Sequence, residues 1–483
     1  MMVKGYVRMA AWLGVVACVA ASVEGAELSE RIREILNGKE AAKADFSLLL
    51  VDLASGETIY AHNADLPLKP ASNMKLVTTG AALAVLGPEF AYETVIGLQG
   101  QDLVVVGAGD PLTGDPRLAE ARGEGIDAIF AKVHEALAGR GMKEIAGDLV
   151  IDDFVFDDER YHPSWPVEQA NKWYAAQVSA LCFNDNCIDV TVRPGAAAGA
   201  KAGWSIVPAT QYVKVENECA TVGAGPNGAW AARVLGENEL TLKGKVRTEH
   251  TFNVTVERPS AFFGHLLAEY LLGKGVAIKG KLYVRRVRGE KGELPEGLES
   301  LVVWRTELGE VLRRANEDSL NLAAECLFKT VGARWGLEEG WTCQQGSWGR
   351  GRAAVESYLT GLGLEEGQFK IDDGCGLSHE NRLTARCLTT VVRAAANGPG
   401  GAMFRESLAA PGEGTLGRAG RLREGVFAGK VLAKTGYVRG AWGLSGLCQL
   451  ADGRWAAFSL LANGSTGSQA GTLDRILGQM VGE

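Results

Sequence analysis

The chain has 483 residues, 46% of them hydrophobic and 22% charged, an ordinary globular composition. At about 150 residues per domain this length predicts about three domains. A net charge of −8 and a pI near 5.5 argue against a nucleic-acid or polybasic membrane-binding surface.

Lys4 and Arg8 precede an apolar run from Met9 to Val23 that ends in small residues. This is the layout of a secretory signal peptide over residues 1–25. Val15-Val16-Ala17-Cys18 loosely suits a lipobox, but the chain stays apolar after Cys18, so lipidation ranks below simple cleavage. No later run is long and uncharged enough to span a bilayer. The expected location is periplasmic or otherwise extracytoplasmic. An exported chain with an even number of remaining cysteines permits disulfides, expected here among Cys182, Cys187 and Cys219. No CxxC occurs and no His pair has metal-ligand spacing, so neither a metal nor a cofactor is expected.

In chain order, Glu27 to Leu36 has helical spacing. Asp45 to Asp52 reads as a buried strand, Ala54-Ser55-Gly56-Glu57 as a turn, and Thr58 to Tyr60 as the return strand. Pro70 then precedes Ala71-Ser72-Asn73-Met74-Lys75 and the apolar run Leu76 to Leu86, a helix stopped by Gly87-Pro88. Short β-like runs follow at Thr94 to Leu98 and Leu103 to Val106. A helix is expected from Gly125 to Gly139, a strand at Asp148 to Asp153, and β-like texture from Tyr161 to Val246. Ser260 to Leu272 is an amphipathic helix, Lys281 to Val287 a last strand, and Arg288 to Gly297 a polar linker. Helices are then expected at Glu307 to Arg314, from Ser319 with Asp318 as its cap, at Arg352 to Leu362 and at Thr384 to Ala395. Three strands (Val431 to Lys434, Gly443 to Leu450, Trp455 to Ala462) and a helix (Leu473 to Val481) complete the chain. The pattern predicts one α/β domain split by a long, mostly β insertion over about residues 93–295.

Three short motifs each occur once. Ser72-x-x-Lys75 lies at a helix start, Ser319-Leu320-Asn321 at another, and Lys434-Thr435-Gly436 at a strand end. Alone, each has a plain reading as a helix cap or an ordinary strand end. Together and in this order they match the signature set of penicillin-binding proteins and class A β-lactamases. Residues three apart share a helix face, so Lys75 can act as base for a Ser72 nucleophile. Ser319 can pass a proton to the leaving amine, and Asn321 can hold Lys75 and a substrate amide. Lys434 adds positive charge, and Thr435 can bind a terminal carboxylate. The N–H groups of Ser72 and Tyr437 would form the oxyanion hole. Competing signatures are poor. There is no G-x-S-x-G, the Gly223-x-Gly225-x-x-Gly228 string contains Pro226, and the P-loop-like Gly275 to Lys281 is followed by Leu282.

Over nearly its whole mature length the sequence resembles the class C low-molecular-mass penicillin-binding proteins, D-Ala-D-Ala carboxypeptidase/endopeptidases of peptidase family S13. Beyond the motifs, the resemblance rests on Gly107-Ala108-Gly109-Asp110-Pro111, Gly147 to Asp153, Tyr174 to Asn186, Gly346-Ser347-Trp348 and Asp372 to Ser378 followed by Asn381-Arg382. The long gap between the first two motifs also suits this family and not class A β-lactamases. The resemblance implies an α/β (α+β) transpeptidase/β-lactamase-like catalytic domain over 26–92 and 296–483. It implies an inserted domain over 93–159 and 248–295, with a second inserted domain over 160–247 nested within it. It also implies cleavage of peptidoglycan stem peptides, acylation by β-lactam antibiotics, and an inserted acidic residue that binds the substrate amine. Asp152, Asp153 and Asp158 are candidates for that residue, with Asp153 carried forward. Tyr437 after the Lys-Thr-Gly motif and His379 after Gly-Leu-Ser depart from the family pattern and bear on substrate preference. A β-lactamase or esterase on the same scaffold, and a non-catalytic peptidoglycan-binding protein, remain as alternatives. Whether the chain forms a homodimer is left open.

Overall fold

The strand Asp45–Asp52 sits between two apolar layers. Leu49 and Val51 enter one cluster, and Phe46, Leu48 and Leu50 enter another. A strand buried on both faces needs no polar alternation, which explains its continuously apolar sequence. The computed structural model describes residues 27–418, 421–422 and 425–482; the expected signal segment and Cys18 lie outside the described residues. Asp45–Asp52 belongs to a five-stranded antiparallel sheet ordered Val431–Val438, Ala441–Gln449, Trp455–Asn463, Asp45–Asp52, Thr58–His62. The helices 27–36 and Ala470–Val481 cover one face through Leu28, Ile32, Leu473 and Ile476. Ala385–Asn397 packs on the other, with Met74–Leu86 and Asn321–Arg334 behind it.

Two of these helices are core elements along most of their length. Met74 to Leu83 and Asn321 to Ala333 are buried throughout. A helix apolar all round is an interior helix. These two, however, bring Lys75, Asn321, Glu325 and Lys329 into the interior, where polar groups require partners.

A second five-stranded sheet is ordered Leu282–Val284, Leu149–Asp152, Asp102–Val106, Ala91–Gln99, Glu299–Glu307. Its first three strands are parallel and the rest antiparallel. Helices Ala128–Gly139 and Pro259–Gly273 share its apolar cluster. The strand Glu299–Glu307 lies past residue 295, beyond the polar stretch 288–297, and pairs with Ala91–Gln99. Between the halves of this sheet, residues 187–255 form a three-stranded and a four-stranded sheet.

Four expectations are corrected. The stretch Tyr161 to Asn186 contains short helical turns at Val167–Gln169, Trp173–Ala175 and Asn184–Asn186 and no named strand. Its apolar residues Trp165, Ala175 and Val178 instead join the core beside the helices Met74–Leu86 and Asn321–Arg334. A helix not expected from sequence, Pro116–Arg122, is capped by the Asp115 carboxylate, which accepts from Leu118 N. The helix expected from Ser319 starts at Asn321, and Asp318 does not cap it, because its carboxylate is bound by Arg314 and Arg117. Finally, the expected disulfides do not form: all eight described cysteines are buried free thiols. Cys182 and Cys219 donate instead to the carbonyls of Ser179 and Gly244.

Candidate active site

Pro70 disfavours the helical region for the residue before it. The chain after it enters a single tight turn, Ala71–Asn73, before the helix Met74–Leu86 begins. Ala71 has φ of 48°, a left-handed conformation rare for a side-chain-bearing residue. Neither turn nor helix has a side-chain cap, so the Ser72 hydroxyl is not used as one. It faces Lys75, whose Nζ lies 3.0 Å from Ser72 Oγ.

Lys75 is fully buried, and burial pulls its pKa below the usual lysine range against the nearby Cys375, Asp373 and Glu325. Its Nζ has two further partners, Asn321 Oδ1 at 2.6 Å and the Cys375 carbonyl at 2.9 Å. The Asn321 amide in turn donates to the Tyr174 carbonyl at 2.7 Å. Two residues of the second motif therefore stand in different relations to the first. Asn321 touches Lys75, whereas Ser319 sits half-buried at φ of 63°, outside the helix. A positive φ in a serine is backbone strain of a kind that collects at functional sites.

The loop Asp372 to Ser378, quoted from sequence only for the family resemblance, supplies the Cys375 carbonyl, a contact that sequence reasoning missed. Glu325, one turn after Asn321, accepts from Cys375 N at 2.7 Å, Gly374 N at 3.2 Å and Trp348 Nε1 at 2.7 Å. Asp373 accepts from Gly376 N, Ser378 N, Asn381 Nδ2 and Trp165 Nε1 within 2.9 Å. Burial and the Asp373 charge push Glu325 up to about 7. Ligand-type atoms of Glu325, Asp373 and Cys375 lie within 4.8 Å of one another. Both carboxylates, however, are already surrounded by N–H donors, an arrangement that serves anions and not a cation. The sequence signals here are the Asp372 to Ser378 stretch quoted for the resemblance and an acid, Glu325, spaced i, i+4 from Asn321 on one helix face.

The strand Val431–Val438 closes the site. A Cβ built on Gly436 would lie 2.9 Å from the Pro70 carbonyl and 3.2 Å from Ser72 N, so only glycine lets the strand pass this close. Lys434 is fully buried and its Nζ donates to the Thr435 carbonyl at 2.9 Å. Thr435, Gly436 and Tyr437 line a cleft of about 420 Å³ with Trp442. Tyr437 is 66% exposed and tilts against Trp442 with ring centroids 5.7 Å apart. His379 Nδ1 lies 3.3 Å from Lys69 Nζ, and burial, Lys69 and Arg382 lower its pKa. Asp153 is placed apart from these contacts. It pairs with Arg160 and lines a separate cavity of about 610 Å³ with Phe154, Asp158 and Arg286. Asp152 is buried under Arg288 and the N–H groups of Val287 and Arg288.

Known proteins resemble the chain over most of its length. The D-Ala-D-Ala carboxypeptidase 3 (S13) family matches residues 28–481. A D-alanyl-D-alanine carboxypeptidase from Actinomadura sp. (strain R39) is 33% identical over 469 residues, covering 91% of this chain and 82% of that protein. The D-alanyl-D-alanine carboxypeptidase DacB of Haemophilus influenzae is 24% identical over 92% of this chain and 90% of its own. The crystal structure of penicillin binding protein 4 (dacB) from the same organism shares the fold, with a TM-score of 0.76 and 22% identity over 92% of this chain and 97% of that one. On a match that runs nearly end to end, the chain belongs to the D-Ala-D-Ala carboxypeptidase 3 (S13) family.

Proposed function

We propose that this is an exported, periplasmic serine D-Ala-D-Ala carboxypeptidase/endopeptidase that acts on peptidoglycan stem peptides and is acylated by β-lactams. The observation that carries the reading is Lys75 Nζ, buried, 3.0 Å from Ser72 Oγ and 2.6 Å from Asn321 Oδ1. A lysine that burial makes readier to give up its proton can act as a base, and a serine beside it as a nucleophile. Ser72 Oγ attacks the carbonyl carbon of the scissile D-Ala bond as its proton passes to Lys75. The N–H groups of Ser72 and Tyr437 take the oxyanion. The C–N bond breaks as the leaving amine receives a proton through Ser319. Water then attacks the ester, and Ser72 recovers its proton. Lys434 supplies positive charge and Thr435 a hydroxyl for the terminal carboxylate. Tyr437 and His379 border the space for the rest of the substrate.

The second five-stranded sheet, built from residues 91–152 and 282–307 with residues 187–255 folded between them, supports a catalytic domain interrupted by nested insertions. Pairing of Glu299–Glu307 with Ala91–Gln99 supports moving the end of the insertion from 295 to about 307. A fluorescent penicillin is expected to label the protein covalently, and Ser72→Ala to abolish labelling. Persistent labelling of the alanine variant would show another nucleophile. Hydrolysis of nitrocefin at an enzyme-like rate would favour a β-lactamase on this scaffold.

A further inference from the structure

The Lys75 amine has three neighbours, and two of them can only accept. A neutral amine carries two N–H bonds and one lone pair. If Asn321 Oδ1 and the Cys375 carbonyl take the two hydrogens, the lone pair is left for Ser72 Oγ, as a base requires. The Cys375 carbonyl thus orients the base, and its own position is dictated from behind. The peptide unit that presents this carbonyl to Lys75 presents its N–H, that of Gly376, to Asp373 Oδ1 at 2.7 Å. The preceding peptide unit repeats the pattern. Its carbonyl, on Gly374, accepts from Thr78 Oγ1 at 2.6 Å, and its N–H, on Cys375, donates to Glu325 Oε1 at 2.7 Å. Two buried carboxylates therefore grip two successive peptides whose carbonyls face two successive turns of the Ser72 helix. A carboxylate on the N–H side polarises an amide and strengthens acceptance at its oxygen.

We infer that Asp373 is a positioning residue for the Lys75 base, acting through the Cys375–Gly376 peptide, and that Glu325 supports it through the peptide before. The inference rests on the Ser72–Lys75 reading above. The inserted segment takes part, because the Trp165 indole donates to Asp373 at 2.9 Å and is only 3% exposed. Asp373 has no exposure of its own, and its four N–H donors fix it in one orientation. The charged groups around Lys75 are Asp373 from the loop and Glu325 from the Asn321 helix, with the Cys375 thiol beside them. Lys329 lies further along that helix, and Lys434 comes from the strand. Both acids favour the protonated amine.

The test is the rate of acylation by a fluorescent penicillin across pH 5 to 10, with thermal melting in parallel, for wild type, Asp373→Asn and Glu325→Gln. The acylation rate should rise as Lys75 loses its proton. In Asp373→Asn the maximal rate should fall about tenfold or more, and the midpoint of the rise should move to lower pH. Glu325→Gln should move the midpoint the same way and carries the test alone if Asp373→Asn does not fold. A purely structural role would lower the melting temperature and the labelled fraction but leave the midpoint of the folded fraction in place. That result overturns the inference. Failure of the wild type to label at all would overturn the functional reading itself.

Discussion

Burial moves Lys75 and Glu325 in opposite directions: the amine loses its proton more easily, and the carboxyl keeps its proton up to about 7. For Glu325 this has a consequence for stability. Its ordinary value is 4.5, so between that and about 7 the folded state holds a proton that the unfolded chain has released. The stabilising contribution is full below 4.5 and is lost as pH rises through about 7. Wild-type protein should therefore lose more stability between pH 5 and pH 8 than Glu325→Gln does, by up to about 3 kcal/mol. Asp110, raised to about 6, contributes equally to both proteins, so it drops out of the difference in their melting midpoints. Equal slopes would mean that Glu325 does not titrate in this window. The Ser72–Lys75 and Lys75–Asn321 contacts were legible, because these residues sit in the fixed spacings that the proposed chemistry demands. The contacts of Asp373 and Glu325 were not, although Asp373 lies in the Asp372 to Ser378 stretch that carries the family resemblance. Both acids act through backbone peptides, and a backbone carbonyl such as that of Cys375 or Tyr174 leaves no trace in residue identity.

Elements were legible where one periodicity dominates and illegible where tertiary contact decides. The strand Asp45–Asp52 matches its expected bounds because it is apolar on both faces. The stretch Tyr161 to Asn186 looked β-like because it is apolar, but that apolarity serves the core of another layer. The loop Asp372 to Ser378 shows how far such contacts reach. Gly376 has φ of 85°, and a Cβ there would collide with the Ala71 carbonyl, in the turn that carries Ser72. Gly376→Ala should push this loop away from Ser72 and Lys75, slowing acylation at least about tenfold with helical circular dichroism unchanged. Gly87 is the control: its φ is 79°, yet nothing lies within 4 Å of a Cβ there. Gly87→Ala should cost about 1–3 kcal/mol, because φ of 79° with ψ of 158° is a region essentially confined to glycine, and leave acylation intact. Equal effects of the two substitutions on acylation would refute a specific role for the Gly376 contact.

At the scale of the whole molecule, the order of the three motifs was legible, but not what holds the insertion against the motif that follows it. The apolar cluster around Trp165, Ala175 and Val178 is one part of it, and a single buried side chain is another. Arg314, on the helix Leu308–Asn316, reaches Asp318 at 2.7 Å, Asp115 at 2.7 Å and Asp185 at 3.3 Å. Asp115 caps Pro116–Arg122 early in the insertion, Asp185 lies deep within it, and Asp318 immediately precedes Ser319. Three segments distant in sequence thus meet on one guanidinium. Arg314 and Asp318 are each about 8% exposed and Asp115 about 1%, so the charges are poorly hydrated and depend on each other. Burial and the Asp115 charge already push Asp185 well above the ordinary carboxyl range, and Arg314 opposes this. Arg314→Leu should cost about 3–5 kcal/mol at pH 8, because it strands Asp115 and Asp185 without this cation, while Asp318 keeps Arg117. The sign of the pH dependence follows. Acid neutralises the stranded carboxylates, so the loss should shrink at pH 5. Arg314→Lys keeps the charge but not the fork, so it should recover part of the loss. Calorimetric melting of the three proteins at both pH values checks this. A deficit of equal size at pH 5 and pH 8 would mean that Arg314 matters for packing and not as the cation shared by the three segments.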